Sequence, residues 1–147
     1  MGNKVLEVKD LVTTFRIGKK EYEVIRGISF DIEENETVCM VGESGCGKSV
    51  TTLAIMDLLP TNGRVVSGSI KLGGQELTAI SPKERNALRG RQMGMIFQEP
   101  MTALNPLLTI GRQMTEGLIR HLGLTKKEAH QTAVSYLEKV GIANPED

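Results

Sequence analysis

The sequence predicts an α/β fold, on three observations. Two long stretches rich in β-branched residues open the chain. Short continuous apolar runs at 37–41 and 93–97 have the composition of strands covered on both faces. Segments with helical apolar spacing, several announced by capping signals, fill most of the remainder.

Taken in order, residues 4–16 (KVLEVKDLVTTFR) and 22–33 (YEVIRGISFDIE) each suit a strand. Ile28, Phe30 and Ile32 alternate as in a half-buried strand, and Gly18-Lys19-Lys20 supplies a turn, so an antiparallel hairpin is expected. TVCMV at 37–41 reads as a buried strand. Val50, Leu53, Ala54 and Leu58 then recur at helical spacing as far as Pro60. A smaller hairpin is expected from 65–72 and 75–77, closing at Gly73-Gly74. Ser81-Pro82-Lys83-Glu84 joins a capping box to a proline in the first turn, which starts a helix. MGMIF at 93–97 reads as a second buried strand. Helices are expected at 110–122 and 126–140, the latter opened by the capping box Thr125-Lys126-Lys127-Glu128 and continued by Ala129, Ala133, Leu137 and Val140. There is no internal repeat and no low-complexity segment.

Composition narrows the function classes. A chain of 147 residues can bury a real core, and 18 Lys plus Arg balance 18 Asp plus Glu, so no global charge points to nucleic acid or an acidic membrane. Five aromatics without tryptophan leave few platforms for stacking bases. Cys39 and Cys46 make no disulfide framework and suit a reducing setting. No apolar run approaches the roughly 20 residues that span a bilayer. The N-terminus MGNKVLEVKD lacks a signal-peptide core, and Leu6 stands where the myristoylation pattern wants Ser or Thr. Without a secretion signal, the sequon Asn35-Glu36-Thr37 reads as a chance match. A cytosolic chain is expected.

The chemistry is concentrated in GESGCGKS, which fits G-x-x-x-x-G-K-[ST] through Gly42, Gly47, Lys48 and Ser49. The pattern alone is permissive; its context, a buried strand running in and an amphipathic helix running out, is what gives it weight. Successive N–H groups from Glu43 to Ser49 can form a concave nest around phosphate oxygens. The helix that follows adds about half a positive charge at its first turn. In such a cradle Lys48 reaches the β- and γ-phosphates and the Ser49 hydroxyl binds Mg²⁺. The bland alternative is a glycine-rich turn before a helix, and the flanking elements argue against it.

VGESGCGKSVTTLAIMDLLP and MGMIFQEPMTALNPLLTIGRQM resemble the ATP-binding subunits of ABC transporters, most closely the oligopeptide and dipeptide importers, with nickel importers as relatives. The resemblance runs from the first hairpin to NPED. It implies an ABC-type P-loop NTPase fold with an N-terminal antiparallel β-subdomain over 1–97, a partial core, and the start of a helical subdomain over 98–147. The parallel sheet is expected to be incomplete, because in the family the strands between 37–41 and 93–97 come from a C-terminal half that this sequence does not include. The nucleotide set implied is Gly42, Glu43, Ser44, Gly45, Cys46, Gly47, Lys48, Ser49 and Val50. Phe15 or Tyr22 would stack on adenine, and the spacing from Leu11 to Phe15 favours Phe15; the alternative for each is packing against the sheet. Gln98 matches the family's glutamine, which helps hold Mg²⁺ and links nucleotide to membrane subunits; the alternative is an ordinary loop residue. Lys48 and Gln98 are thus the catalytic candidates, Ser49 and Gln98 the metal candidates, and ATP and Mg²⁺ the cofactors.

The resemblance further implies transmembrane permease subunits and a second ATP-binding subunit as partners, no nucleic acid, and a cytoplasmic place at the inner face of the cell membrane, touched only through the permease. Met101, Leu104, Leu107 and Leu108 lie where those permease subunits would dock, with a core role as the alternative for Leu107 and Leu108. Leu72-Gly73-Gly74-Gln75 imitates the family's LSGGQ signature but follows a strand and reads as a hairpin turn. The true signature, the acidic strand and the switch histidine are expected beyond residue 147, so hydrolysis is expected of the longer protein with a partner and not of this chain alone. The competing reading is a nucleotide-binding module without hydrolytic activity. A GTPase or small-molecule kinase fits worse, for want of an N-K-x-D motif. Glu99 is not read as the base, Cys46 is read as a tolerated small residue, and His121 and His130 as surface residues.

Overall fold

The first β-rich stretch becomes the central strand of a four-stranded antiparallel sheet. In the computed structural model, which describes residues 2–99 and 103–146, β1 (Lys4–Ile17) pairs with β2 (Lys20–Glu33) on one side and with β3 (Gly63–Leu72) on the other, and β3 pairs with the short β4 (Gln75–Glu76). The order is therefore β2-β1-β3-β4. The β1–β2 turn falls at Gly18-Lys19, and the β3–β4 turn at Gly73-Gly74 joins the directly opposed Leu72 and Gln75. That settles the imitation signature: it is a hairpin.

The chain divides into two units, Met1–Ala87 and Leu88–Asp147. In the first, Val8, Leu11, Ile25, Ile70 and Leu77 are buried together with Thr13 and Thr51. Each large apolar side chain fully withdrawn from water contributes about 1.5–3 kcal/mol, which is what holds the sheet against α1 (Lys48–Ile55) through Ala54 and Thr51. A short helix α2 (Pro82–Leu88) follows β4, opened by the anticipated capping box: Ser81 N–H donates to Glu84 at 2.9 Å and Glu84 N–H to the Ser81 hydroxyl at 3.3 Å. The Arg85 guanidinium reaches Asp57 at 2.7 Å.

The second unit holds α3 (Ile110–Leu122) and α4 (Lys126–Lys139). Thr109 caps α3 by accepting from Arg112 N–H, and Thr125 with Glu128 forms the complete capping box that the sequence announced for α4. Ala129 and Ala133, four residues apart and buried, let the two helices approach closely. No helix among the described residues is long and apolar enough to cross a membrane.

Two expected strands do not form. Residues 37–41 have no regular secondary structure, and 93–97 contribute only one isolated parallel bridge, Met93 to Arg89. Val41 is 88% exposed and Ile96 99%. The physical reason is pairing: a strand exists only if a neighbour takes its N–H and C=O groups, and no described strand pairs with either run. The reading of both runs as buried strands is thus overturned, while the shortage of sheet neighbours was expected.

Glu76 is the most strongly perturbed carboxylate. Partial burial alone would raise its pKa, but the Ser69 and Thr78 hydroxyls and the N–H groups of Ile70 and Thr78 all donate to it and bring it down to about 2. The carboxylate ties β3 to the segment after β4. Its folded pKa lies below the unfolded value of about 4.3, so its stabilisation is complete above that value and is lost as pH falls through about 2. Glu76→Gln is expected to destabilise the first unit at neutral pH by about 1–2 kcal/mol. In parallel thermal melts the gap between variant and parent should shrink below about pH 4; a gap constant down to pH 2 would refute the assignment.

Candidate phosphate-binding site

Residues 42–49 form a tight loop that runs into the first turn of α1. Its entry into the helix is set by Gly47, the N-cap residue, whose φ of 101° is left-handed and which offers no side-chain cap. A Cβ at Gly47 would stand 2.6 Å from Ile25 Cδ1, so the loop backbone lies directly on β2. Gly47 C=O accepts from Thr51 N–H at 2.9 Å and from the buried Thr51 hydroxyl at 3.0 Å, which fixes the helix start from below. The first N–H groups of a helix have no intrahelical partner, and an uncapped start leaves them for an anion.

The Lys48 side chain folds back over this loop. Its Nζ donates to the carbonyls of Gly42 and Glu43, each at 2.7 Å, and lies 3.5 Å from Cys46 Sγ. The loop is closed on itself by Cys46 N–H donating to Glu43 C=O at 3.3 Å, and by the approach of Cys46 to Gly42, where a Cβ would be 2.7 Å from Sγ. An ammonium has three N–H groups; two are taken by carbonyls and the third by Cys46 Sγ, a weak acceptor that an anionic oxygen would displace, so a charge is pinned at the loop mouth. Glu43, Ser44, Gly45, Cys46 and Ser49 are exposed and Val50 is half-buried. Among the described residues no group holds the Ser49 hydroxyl, which is open to a ligand at the first turn of α1. Below the loop a groove of about 480 Å³ runs between β2 and residues 40–51, floored by Val24, Ile25, Ile28, Met40 and Val41.

Phe15 and Tyr22 are directly opposed in the β1–β2 ladder. Thr13, opposite Ile25, precedes Phe15 by two residues on β1 and so shares its face of the sheet. Phe15 is half-buried against Gly63, whereas Tyr22 is 48% exposed. Gln98 and Glu99 are exposed and belong to the second unit, where Leu104 and Leu107 also stand exposed, Leu107 at 89%, and Leu108 is half-buried. Met101 lies outside the described residues. His130 is exposed, while His121 packs its imidazole over Gly90 and is less solvated than expected. The described residues contain no His, Cys, Asp and Glu cluster suited to a metal ion.

Nothing in the sequence singles out Gln113. Its side-chain carbonyl accepts from Asn105 N–H at 2.8 Å, and its Nε2 donates to the carbonyls of Asn105 and Leu108 at 3.0 Å each, so the loop before α3 is pinned to that helix.

The chain is similar to known proteins along most of its length. A family model described as ABC transporter matches residues 25–147. The oligopeptide transport ATP-binding protein AppD of Bacillus subtilis is 48% identical over 97% of this chain and 44% of its own length. The dipeptide transport ATP-binding protein DppD of the same organism is 46% identical over 97% and 43%, and AmiE of Streptococcus pneumoniae, an oligopeptide transport ATP-binding protein, 45% over 95% and 40%. The chain thus spans less than half the length of these relatives. Among solved structures, the dimeric MJ0796 ABC transporter cassette superposes with a TM-score of 0.80 at 22% identity, over 95% of this chain and 58% of that one. Its post-hydrolysis form bound to ADP and Pi gives the same TM-score at 23% identity.

The seating of Gly47 makes one substitution diagnostic. Gly47→Ala forces an L side chain into a left-handed backbone and against Ile25, and is expected to cost about 2 kcal/mol in denaturant unfolding. Ile25→Val removes Cδ1 and should relieve the contact but not the backbone strain, so the double variant recovers only part of the loss in a mutant cycle. Full recovery would show that φ at 47 is not constraining.

Proposed function

The chain belongs to the ABC transporter family, and we propose that it forms the ATP-binding, energy-coupling part of an importer for oligopeptides or dipeptides. The observation that carries this reading is the Lys48 ammonium, held at 2.7 Å by the carbonyls of Gly42 and Glu43 over an uncapped helix start. A cation so placed, with free N–H groups beside it, suits the polyphosphate of a nucleotide. On this reading Gly42 to Val50 wrap the phosphates and Phe15 stacks on the adenine. The Ser49 hydroxyl, exposed and uncommitted, fits a Mg²⁺ ligand, with Gln98 as a second. The ion, when bound, neutralises charge on the β- and γ-phosphates. What this chain's residues supply is binding and orientation: the loop amides fix the phosphate oxygens and Lys48 offsets their charge before any chemistry begins. Hydrolysis also needs an oriented water and stabilisation of the transferring phosphoryl group, so it belongs in this proposal to the longer protein with a second ATP-binding subunit.

The dimeric cassette supports a second ATP-binding subunit as partner, and the transport names of the relatives support a permease. The chain is proposed to pair with a second ATP-binding subunit and to meet permease subunits at the inner face of the membrane, without touching lipid itself. The loop joined to α3 by Gln113 is the proposed contact, because Leu104 and Leu107 are apolar and exposed on it.

Lys48→Ala is expected to weaken Mg-ATP binding at least about tenfold, since a hydrogen bond to a charged group is worth about 1.5–3 kcal/mol. Equal affinities for parent and variant by calorimetry would remove the site. Glu in place of Leu104 or Leu107 should uncouple transport in an assembled transporter. ATP affinity and thermal stability should stay within about 0.5 kcal/mol, as for other exposed positions. Loss of stability instead would mean that these leucines support the fold.

A further inference from the structure

The ring of Phe15 lies on the bare backbone of Gly63. The two residues are directly opposed in the β1–β3 ladder, and a Cβ at Gly63 would stand 2.9 Å from both Cε1 and Cζ of the ring and 3.3 Å from Cδ1. Nothing in the backbone asks for glycine there, because Gly63 is not among the residues with positive φ. The ring is the one reason the structure offers.

The surroundings hold this contact in place. Gly63 N–H donates to Pro60 C=O at 2.8 Å, closing the turn that leads into β3. Arg16 N–H donates to Asn62 C=O at 2.8 Å and Asn62 Nδ2 to Arg16 C=O at 3.4 Å, so the residue after Phe15 is clasped to the residue before Gly63. On the opposite flank stands Tyr22, half exposed, and the atoms nearest a Cβ at Gly63 all belong to Phe15.

We propose that Gly63 is a positioning residue for the nucleotide base: the absence of a side chain at 63 lets the Phe15 ring lie across β3 at the angle from which it stacks on adenine. This rests on the reading of Phe15 as the stacking aromatic and extends it, since any side chain at 63 lifts the ring off its seat. A purely structural explanation also exists, because an aromatic laid across a strand glycine shields backbone and stabilises a sheet. The two differ in what they do to ligands. A positioning role acts on the base and leaves the phosphates alone; a structural role acts on both.

The test uses the 147-residue chain and two probes, Mg-ATP and magnesium tripolyphosphate, the second having no base. Phe15→Ala should weaken Mg-ATP about tenfold or more, as expected for loss of one base–aromatic stack, and leave tripolyphosphate within about twofold. Gly63→Ala and Gly63→Val should do the same, in increasing degree, and add nothing once Phe15 is already alanine. Retained tripolyphosphate affinity certifies that each variant is folded, and Gly63→Ala carries the test if the valine variant does not fold. Unchanged Mg-ATP affinity in Gly63→Ala alongside weakened binding in Phe15→Ala overturns the positioning role alone. Equal loss of both probes, or a Gly63 effect that persists without the ring, assigns Gly63 to the sheet and also overturns it. If Phe15→Ala leaves Mg-ATP untouched, the stacking reading itself falls.

Discussion

The first unit depends on one close approach, that of the backbone at residue 47 to β2. Because Gly47 has no side chain, its loop can rest on Ile25, and because its φ is left-handed the chain turns there from loop into helix. Thr51 then anchors Gly47 from inside α1, and Lys48, one residue along, is aimed back at the carbonyls of Gly42 and Glu43. A sheet, a loop and a helix are brought together by one residue with nothing on its Cα. The burial that sustains the arrangement lies beneath it, in Ile25, Ala54 and Thr51. The loop itself is exposed, so its shape is imposed by its two ends and by Lys48, not by packing from above.

Much of this was legible in the residues, for reasons that differ by element. The two capping boxes were readable because each is a local transaction, complete within four residues: Ser81 with Glu84, Thr125 with Glu128. The first hairpin was readable from alternation and a turn. The tight loop entering α1 was readable because glycines and a lysine at fixed spacing before a helical run mark such a turn. What failed was non-local. TVCMV and MGMIF are apolar enough for buried strands, but apolarity says nothing about whether a neighbour exists to accept the ladder. The Gly63 contact was hidden for the same reason. Phe15 and Gly63 are far apart in sequence, and a glycine after Pro60-Thr61-Asn62 reads as part of a turn. Which carbonyls would receive Lys48 was equally beyond the motif, since the pattern specifies a residue type and not its hydrogen bonds.

The carboxylates of the structure show a division of labour by position. Glu84 and Glu128 have their pKa values lowered, foremost by the capping hydroxyls of Ser81 and Thr125 and then by the N–H groups of the same residues, while burial opposes weakly. These are helix starts closed by their own sequence. The start of α1 is different: no acidic residue lies in its first turn and no side chain caps it. The start of α3 is closed by the Thr109 hydroxyl without an acid, and those of α2 and α4 by a hydroxyl and an acid together. Of these four helices, α1 is the one whose first N–H groups meet no capping side chain, as its sequence Gly-Lys-Ser lacks the Ser-x-x-Glu pattern.

The hydrogen bonds of Gln113 have a consequence for how the second unit breathes. Its amide lies in the first turn of α3, yet it fastens Asn105 and Leu108, which have no secondary structure of their own beyond a turn. A loop held only at its ends would let solvent reach its N–H groups almost freely. Here the Asn105 N–H is released only when the glutamine lets go, and an opening of the first turn of α3 would release it. Exchange of the Asn105 amide proton is therefore expected to follow opening of the helix end, and the Leu107 and Leu108 N–H groups, which donate to Asn105 Oδ1 and C=O, depend on the same residue. A pair of leucines is thereby tied to a helix without being part of one.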